Sequence, residues 1–248
     1  MQLRCLGSSS TGNCYLLENE TECLVLEAGL PFREVKKALD FDISKIEGVL
    51  ITHEHGDHAK YILEYEVAGM PCEMSEGTAL ALNIQRRSHF SPGYWYLFGG
   101  FTITPFPVIH DAAEPLGFVI QHHDIGTLLF ATDTEYIKQN FKKLKLNHIM
   151  IECNYSQKIL DDRMHYGETV KGLRDRVLQS HMELETCKSF IEANKTVNLD
   201  TVTLLHLSDG NSNAKQFQSE IQSIVGPGVR VAIADKGITV DLDIIPFM

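Results

Sequence analysis

The chain has 248 residues, the length of one large domain or two small ones, and can bury roughly 70–75% of its unfolded surface. Hydrophobic residues make up 44% and charged residues 22%, which excludes a disordered, collagenous or membrane-spanning chain. Lys and Arg number 22 against 33 Asp and Glu, a formal net charge of −11. An even coating of nucleic-acid-binding charge is therefore excluded, although a local basic strip is not. The longest apolar runs, such as 48–52 and 126–132, are strand-length and far short of the ~20 residues a bilayer requires. The opening MQLRCLGSSS has no apolar run of the secretory type. The six cysteines form no C-x-x-C pair and no zinc-ribbon cluster. The expectation is a reduced, cytoplasmic protein with buried thiols and no membrane contact.

In chain order, the pattern begins with a strand over 2–6 and a Ser/Gly-rich turn over 7–13. Strands over 14–17 and 23–26 follow, joined by a turn at Asn19 and Glu20. Pro31 at a first helical position opens a helix to about Leu39. A buried strand over 46–52 ends in the sequence THEHGDH. Helical periodicity then covers 57–67, with Tyr61, Ile62 and Tyr65 as inner positions. Strands are expected over 94–98, 102–109, 117–121 and 127–132, a helix over 134–142, and a strand over 148–152. The remainder is helix-rich from about 166 to 194. It closes with a strand over 202–206, a helix over 213–224 and two short strands joined by Asp235-Lys236-Gly237. No repeat, low-complexity tract or linker interrupts the chain, and residues 1–248 read as a single domain of sheets covered by helices.

The strongest chemical signal is His53-Glu54-His55-Gly56-Asp57-His58. In an extended segment residues i and i+2 share a face, so His53 and His55 can converge on one ion. Gly56 permits a sharp turn that swings Asp57 and His58 toward a second. Imidazole with carboxylate suits zinc, iron or manganese. A solvated polar loop is the bland alternative, but packing does not explain four such ligands in six residues. His110 and Asp133 follow expected strands, and His206 ends one. His181, in LQSHMELE, precedes a helix. Singly, each could be a cap or turn residue; together they form a constellation.

That constellation resembles the metallo-β-lactamase superfamily, whose fold is an α/β, αββα four-layer sandwich with a dinuclear metal site. More narrowly, GSSSTGN, EAGL, ITHEHGDH, VIHDAAEP, TDT, IECN and HLSDGNSN resemble its YycJ/WalJ-type branch, associated with 5′-to-3′ DNA exonuclease activity. The resemblance implies His53, His55 and His110 on one ion, Asp57, His58 and His206 on the other, and Asp133 bridging. Asp57 and His181 are the implied catalytic residues. The ions are zinc or manganese, and a hydroxide bridging them would attack phosphorus while His181 protonates the leaving oxygen. Two departures stand out. Glu27 occupies a position where the family usually has Asp as a supporting partner of the site, and SHMELE around His181 departs from the branch's usual G-H-x-S.

Candidate substrate contacts are Ser8, Asn13, Lys171, Arg174 and Asn211, each with an ordinary turn, cap or solvated-face alternative. The implied partner is nucleic acid, DNA favoured over RNA, or a small phosphodiester. A thioester substrate and a non-catalytic metal-binding role remain as alternatives. The interval between Asp133 and His206 is too short for a β-CASP insertion. Export, a long tRNA-binding arm and an appended flavodoxin domain find no support in the residues.

Overall fold

Alternating burial along Gln2–Gly7 makes that segment strand β1. The computed structural model describes residues 1–85 and 89–244, and the chain divides into two units. The first comprises Met1–Pro107, Ala112–Gly126 and Ala234–Met248; the second comprises Val108–Asp111 and Thr127–Ile233.

In the first unit, β1, β2 (Cys14–Glu18) and β3 (Cys23–Leu26) form an antiparallel meander. Strands β4 (Ile46–Leu50) and β5 (Cys72–Glu73) add in parallel beyond β3, and β13 (Thr239–Asp241) closes the other edge against β1. Helix α1 (Phe32–Ala38) places Phe32 and Val35 in a core with Leu16, Val25, Val49 and Ile51. Pro31 stands one residue before that helix. A second group of strands, β6 (Tyr96–Phe98), β7 (Phe101–Pro107) and β8 (Leu116–His122), is antiparallel throughout. Helix α4 (Glu76–Ala81), which periodicity did not reveal, is capped by the Ser75 hydroxyl accepting from the Thr78 N–H at 3.1 Å.

The single helix expected over 57–67 is two helices, α2 (Gly56–Ala59) and α3 (Ile62–Val67). Continuation would need the Asp57 and His58 carbonyls to accept from residues 61 and 62. Instead Asp57 O accepts from the Asn13 N–H at 2.7 Å, His58 O accepts from the Ala28 N–H at 2.7 Å, and the Tyr61 N–H donates to Ala28 O. Tertiary pairing thus overrides the helical ladder where the histidines must be held. Ile62 and Tyr65 still face the core, with Tyr61 packed at its border.

The second unit carries four parallel strands in the order β12-β11-β10-β9, where β9 is Gly126–Ala131, β10 His148–Glu152, β11 Thr201–Leu205 and β12 Arg230–Ile233. Every residue of β10 and β11 is buried, as expected for parallel strands covered on both faces. Helix α7 (Leu184–Asn194) packs on β10, and α8 (Ala214–Val225) packs on β12 through an apolar stripe that includes Phe217 and Ile221. Asn213 caps α8 by accepting from the Gln216 N–H. Helices α5 (Gln157–His165) and α6 (Lys171–Ser180) complete the unit.

No helix forms over 134–142, where one was expected. Phe141 N–H, which a helix over that span would give to Ile137 O, goes instead to Asn194 Oδ1, while the Thr134 and Glu135 N–H groups meet Glu152 Oε2 and Ile109 O. Only a 3₁₀ turn at Lys142–Leu144 follows. The strands flanking Asp235-Lys236-Gly237 are not a hairpin, since β12 pairs with β11 and β13 with β1. All six cysteines are buried thiols without a disulfide, and burial pushes Cys5 and Cys23 up to about 12. Among the described residues no helix is long and apolar enough to cross a membrane.

Candidate metal centre

In the first unit the histidines cluster at the end of β4. The His53 ring centroid lies 4.7 Å from that of His55 and 4.2 Å from that of His58. Asp57 Oδ2 is 3.3 Å from His58 Nε2. The segment is stitched to the β1–β2 turn and to the stretch after β3, where Gly29 has no room for a side chain. A Cβ there would fall 1.8 Å from Asp57 O and 2.6 Å from Asn13 N. This close approach is the physical reason for glycine in EAGL.

Glu27 is fully buried with φ 71°, a left-handed conformation that costs a non-glycine residue roughly 1–3 kcal/mol. Its carboxylate accepts from the Thr52 hydroxyl at 2.6 Å and the Thr52 N–H at 3.3 Å, and sits 3.4 Å from His58 Nδ1. Because the Thr52 hydroxyl hydrogen goes to Glu27, Thr52 Oγ1 is left to accept from His53 Nδ1 at 2.8 Å. That relay fixes the His53 tautomer with its lone pair on Nε2. Glutamate in the usual aspartate position therefore serves two histidines at once.

In the second unit the functional groups sit at the carboxyl ends of the parallel strands, where α/β sheets present their chemistry. Asp133 follows β9, Glu152 ends β10, and His206 follows β11. Asp133 and His206 also adopt left-handed backbone, with φ 45° and 51°. Asp133 Oδ1 lies 2.5 Å from His206 Nδ1, and Glu152 Oε1 lies 2.6 Å from His181 Nδ1. One ligand atom from each of these four residues lies within 4.8 Å of every other. His110 donates its Nδ1–H to the Ser180 carbonyl at 2.8 Å, which leaves the lone pair on Nε2, 3.7 Å from Asp133 Oδ2. Burial holds His110 below the ordinary imidazole range.

His181 caps the end of α6 with extended backbone. Burial pulls its pKa down, but the Glu152 carboxylate raises it more, and the net shift is upward. For Glu152, burial pushes the pKa up, and His181 more than compensates, so the net shift is downward. Glu152 is the functional residue that the sequence reading missed. Its Oε2 accepts from the Thr134 and Met182 N–H groups, so the carboxylate is clamped from three sides. The available signal was an acid directly after the apolar run 149–151, within the IECN stretch.

The candidate substrate contacts are dispersed. Asn13 is buried, with Nδ2 near Asp57 Oδ2 and His58 Nε2, and Ser8 accepts from the Tyr15 hydroxyl at 2.8 Å. Arg174 pairs with Asp161 at 2.9 Å, and Lys171 is exposed at the start of α6. Asn211 is buried and accepts from Arg163 at 2.8 Å.

The donor sets fit divalent transition metals. Two histidines have tautomers fixed by a hydroxyl or a carbonyl, and each cluster mixes imidazole with carboxylate. Comparisons agree. Residues 9–60 match the metallo-beta-lactamase superfamily model. The exodeoxyribonuclease YycJ of Bacillus anthracis is 31% identical over 171 residues, covering 62% of this chain and 63% of that relative, so under two thirds of its length is spanned. The exodeoxyribonuclease WalJ of Streptococcus pneumoniae is 27% identical over 257 residues, covering 96% and 91%. The metallo-beta-lactamase fold protein YhfI of Bacillus subtilis superposes with a TM-score of 0.73 at 17% identity, covering 97% and 99%. The fold is thus the α/β sandwich of that family, as the motifs implied. The chain carries the fold of the metallo-β-lactamase superfamily of hydrolases and resembles, within it, the YycJ/WalJ branch.

Proposed function

We propose that the protein is a metal-dependent phosphodiesterase acting as a 5′-to-3′ exonuclease on DNA in the cytoplasm. The reading treats residues 1–248 as one domain without a β-CASP insertion. It assigns His53, His55, Asp57, His58, His110, Asp133 and His206 to two divalent ions, zinc or manganese. When bound, such ions supply activated water at neutral pH and positive charge against phosphoryl oxygens. The chain's own residues do the rest. Glu27 and Thr52 orient His53, Ser180 orients His110, and Asp133 anchors His206.

The observation that carries the phosphodiesterase reading is the Glu152–His181 pair. His181 is outside the assigned ligand set, yet it stands beside Asp133 and His206 with its Nδ1 held by a clamped carboxylate. With Nδ1–H given to Glu152, whose carboxylate favours the cationic imidazole, protonated His181 carries an Nε2–H that can pass to a departing alkoxide, which a phosphodiester needs. Names of the curated relatives favour DNA as that diester. Digestion of duplexes labelled at either the 5′ or the 3′ end tests this. Release of 5′-terminal nucleotides first, abolished by chelator, is expected; cleavage of small diesters with no action on DNA would reject the nuclease assignment.

A further inference from the structure

Tyr94, Trp95 and Leu97 are 68, 66 and 64% exposed, a concentration of apolar surface in four residues. The loop beneath them is firmly held. Phe90 is buried and packs on Tyr96, Phe98 and Phe118 with ring centroids 4.8, 6.1 and 5.6 Å away. Phe90 also bridges to Ser75, and the Tyr96 hydroxyl accepts from the Ser91 N–H while donating to His89 O. Aromatic rings thus stand outward on an anchored base, so a ligand would order little on binding.

Charge singles out the same stretch. In a chain with 33 acidic residues, none falls between Glu76 and Asp111, whereas Arg86, Arg87 and His89 do. The register adds direction. Tyr96 pairs with Ile103 antiparallel, and Pro107 lies four residues further along β7. Pro107 pairs with Leu116, whose N–H meets the Thr52 carbonyl beside His53.

We propose that Tyr94 and Trp95 form a base-stacking platform for single-stranded nucleic acid. This deepens the nuclease reading above and rests on it. Every base has a π face, so stacking on these rings is independent of sequence, which suits an exonuclease that must accept each nucleotide in turn. The segment itself brings no carboxylate to repel phosphates; Glu22 and Glu47 stand against Gly100 and Gly99, beyond the strand.

Trp95 is the single tryptophan, so its emission reports occupancy directly. The metal-loaded protein is titrated with a phosphorothioate oligothymidylate, which resists hydrolysis, and with an abasic oligomer of equal length. Saturable quenching by oligothymidylate is expected, with the abasic oligomer binding about 10-fold more weakly. Anisotropy of a labelled oligothymidylate should show Trp95→Ala and Tyr94→Ala each weakening binding about 10-fold. Trp95→Phe, which keeps a ring, should stay within about 3-fold of the original. Thermal melting confirms that each variant folds. Equal binding of abasic and thymidylate oligomers, or an unaffected Trp95→Ala, would overturn the platform while leaving the nuclease reading intact. Failure to bind or cut any oligonucleotide would overturn both. Emission that follows protein concentration rather than oligomer would assign the patch to a second copy of the chain and overturn the platform.

Discussion

The two units supply candidate ligands in different ways. The first takes His53, His55, Asp57 and His58 from one hexapeptide, and its strain and hydrogen bonds serve to keep that hexapeptide from becoming an ordinary helix. The second takes its residues from separate elements: Asp133, Glu152 and His206 from the ends of its parallel strands, His181 from the end of α6, and His110, beside Asp133, from the stretch after β7. A local cluster needs backbone restraint, whereas a dispersed cluster needs a rigid sheet whose strand ends are in register. Substitutions should therefore fail differently in the two units: by misorienting a segment in the first, and by removing a single contribution in the second.

The largest effect belongs to the second unit. Asp133 reaches toward both His206 and His110 and is 3% exposed, so no water can replace its carboxylate cheaply. Asp133→Ala should empty metal from the purified protein and reduce hydrolysis to background. The loss in metal affinity should exceed the about 10–100-fold typical of deleting a ligand's supporting partner. Elemental analysis showing full metal content in this variant would refute the bridging assignment.

The Glu152–His181 pair sharpens the contrast, because its loss should spare the metal. His181→Ala is expected to keep metal content while turnover on a poor leaving group falls roughly 10²–10⁴-fold. A nitrophenolate ester needs little protonation and should be far less affected. Glu152→Gln should reproduce the same substrate-dependent pattern more weakly, since the amide can still meet His181 but no longer favours its cationic form. A variant that loses metal together with both activities would make His181 a ligand, as the geometry of the four-residue cluster also permits.

What was legible in the residues follows the same division. The candidate ligands of THEHGDH stood out because they are adjacent, and β10 and β11 because residues 149–151 and 202–205 are rich in large aliphatic side chains. His110, Asp133, His181 and His206 were each ambiguous alone and became a set through the family's motifs. Glu152 stayed hidden because a single glutamate at a strand end carries no periodic signal; only the fold shows Thr134, His181 and Met182 converging on it. The false helix over 134–142 and the unbroken one over 57–67 share a cause. Local propensity cannot see a carbonyl or carboxylate arriving from a distant part of the chain to claim the helical donors or acceptors.

In the first unit, Gly29→Ala should act through the segment rather than through a ligand. The added methyl would overlap Asp57 O and push against Asn13 N, separating two groups now joined by a 2.7 Å hydrogen bond. Overpacking of this kind costs about 1–3 kcal/mol. A lower urea midpoint and weakened metal binding should appear together. An unchanged midpoint would mean the loop yields freely and does not restrain Asp57.

The smallest effect, and the one with opposing contributions, is Glu27→Asp. Aspartate tolerates the left-handed backbone at φ 71° better than glutamate does, which favours the variant by a fraction of the roughly 1–3 kcal/mol of strain. Against this, the carboxylate retreats by one methylene from the Thr52 hydroxyl, the Thr52 N–H and His58 Nδ1. At 0% exposure, no solvent replaces a lost contact. Losing the Thr52 contact would also release the His53 tautomer. The reach should dominate for metal and the backbone for stability. Competition with a chromophoric chelator should then show metal affinity falling about 10-fold, within the range for supporting partners. Thermal unfolding of the metal-free protein should meanwhile move little or rise slightly. Tighter metal binding by Glu27→Asp would mean that the surrounding backbone closes to follow the shorter side chain, and that the relay through Thr52 tolerates either acid.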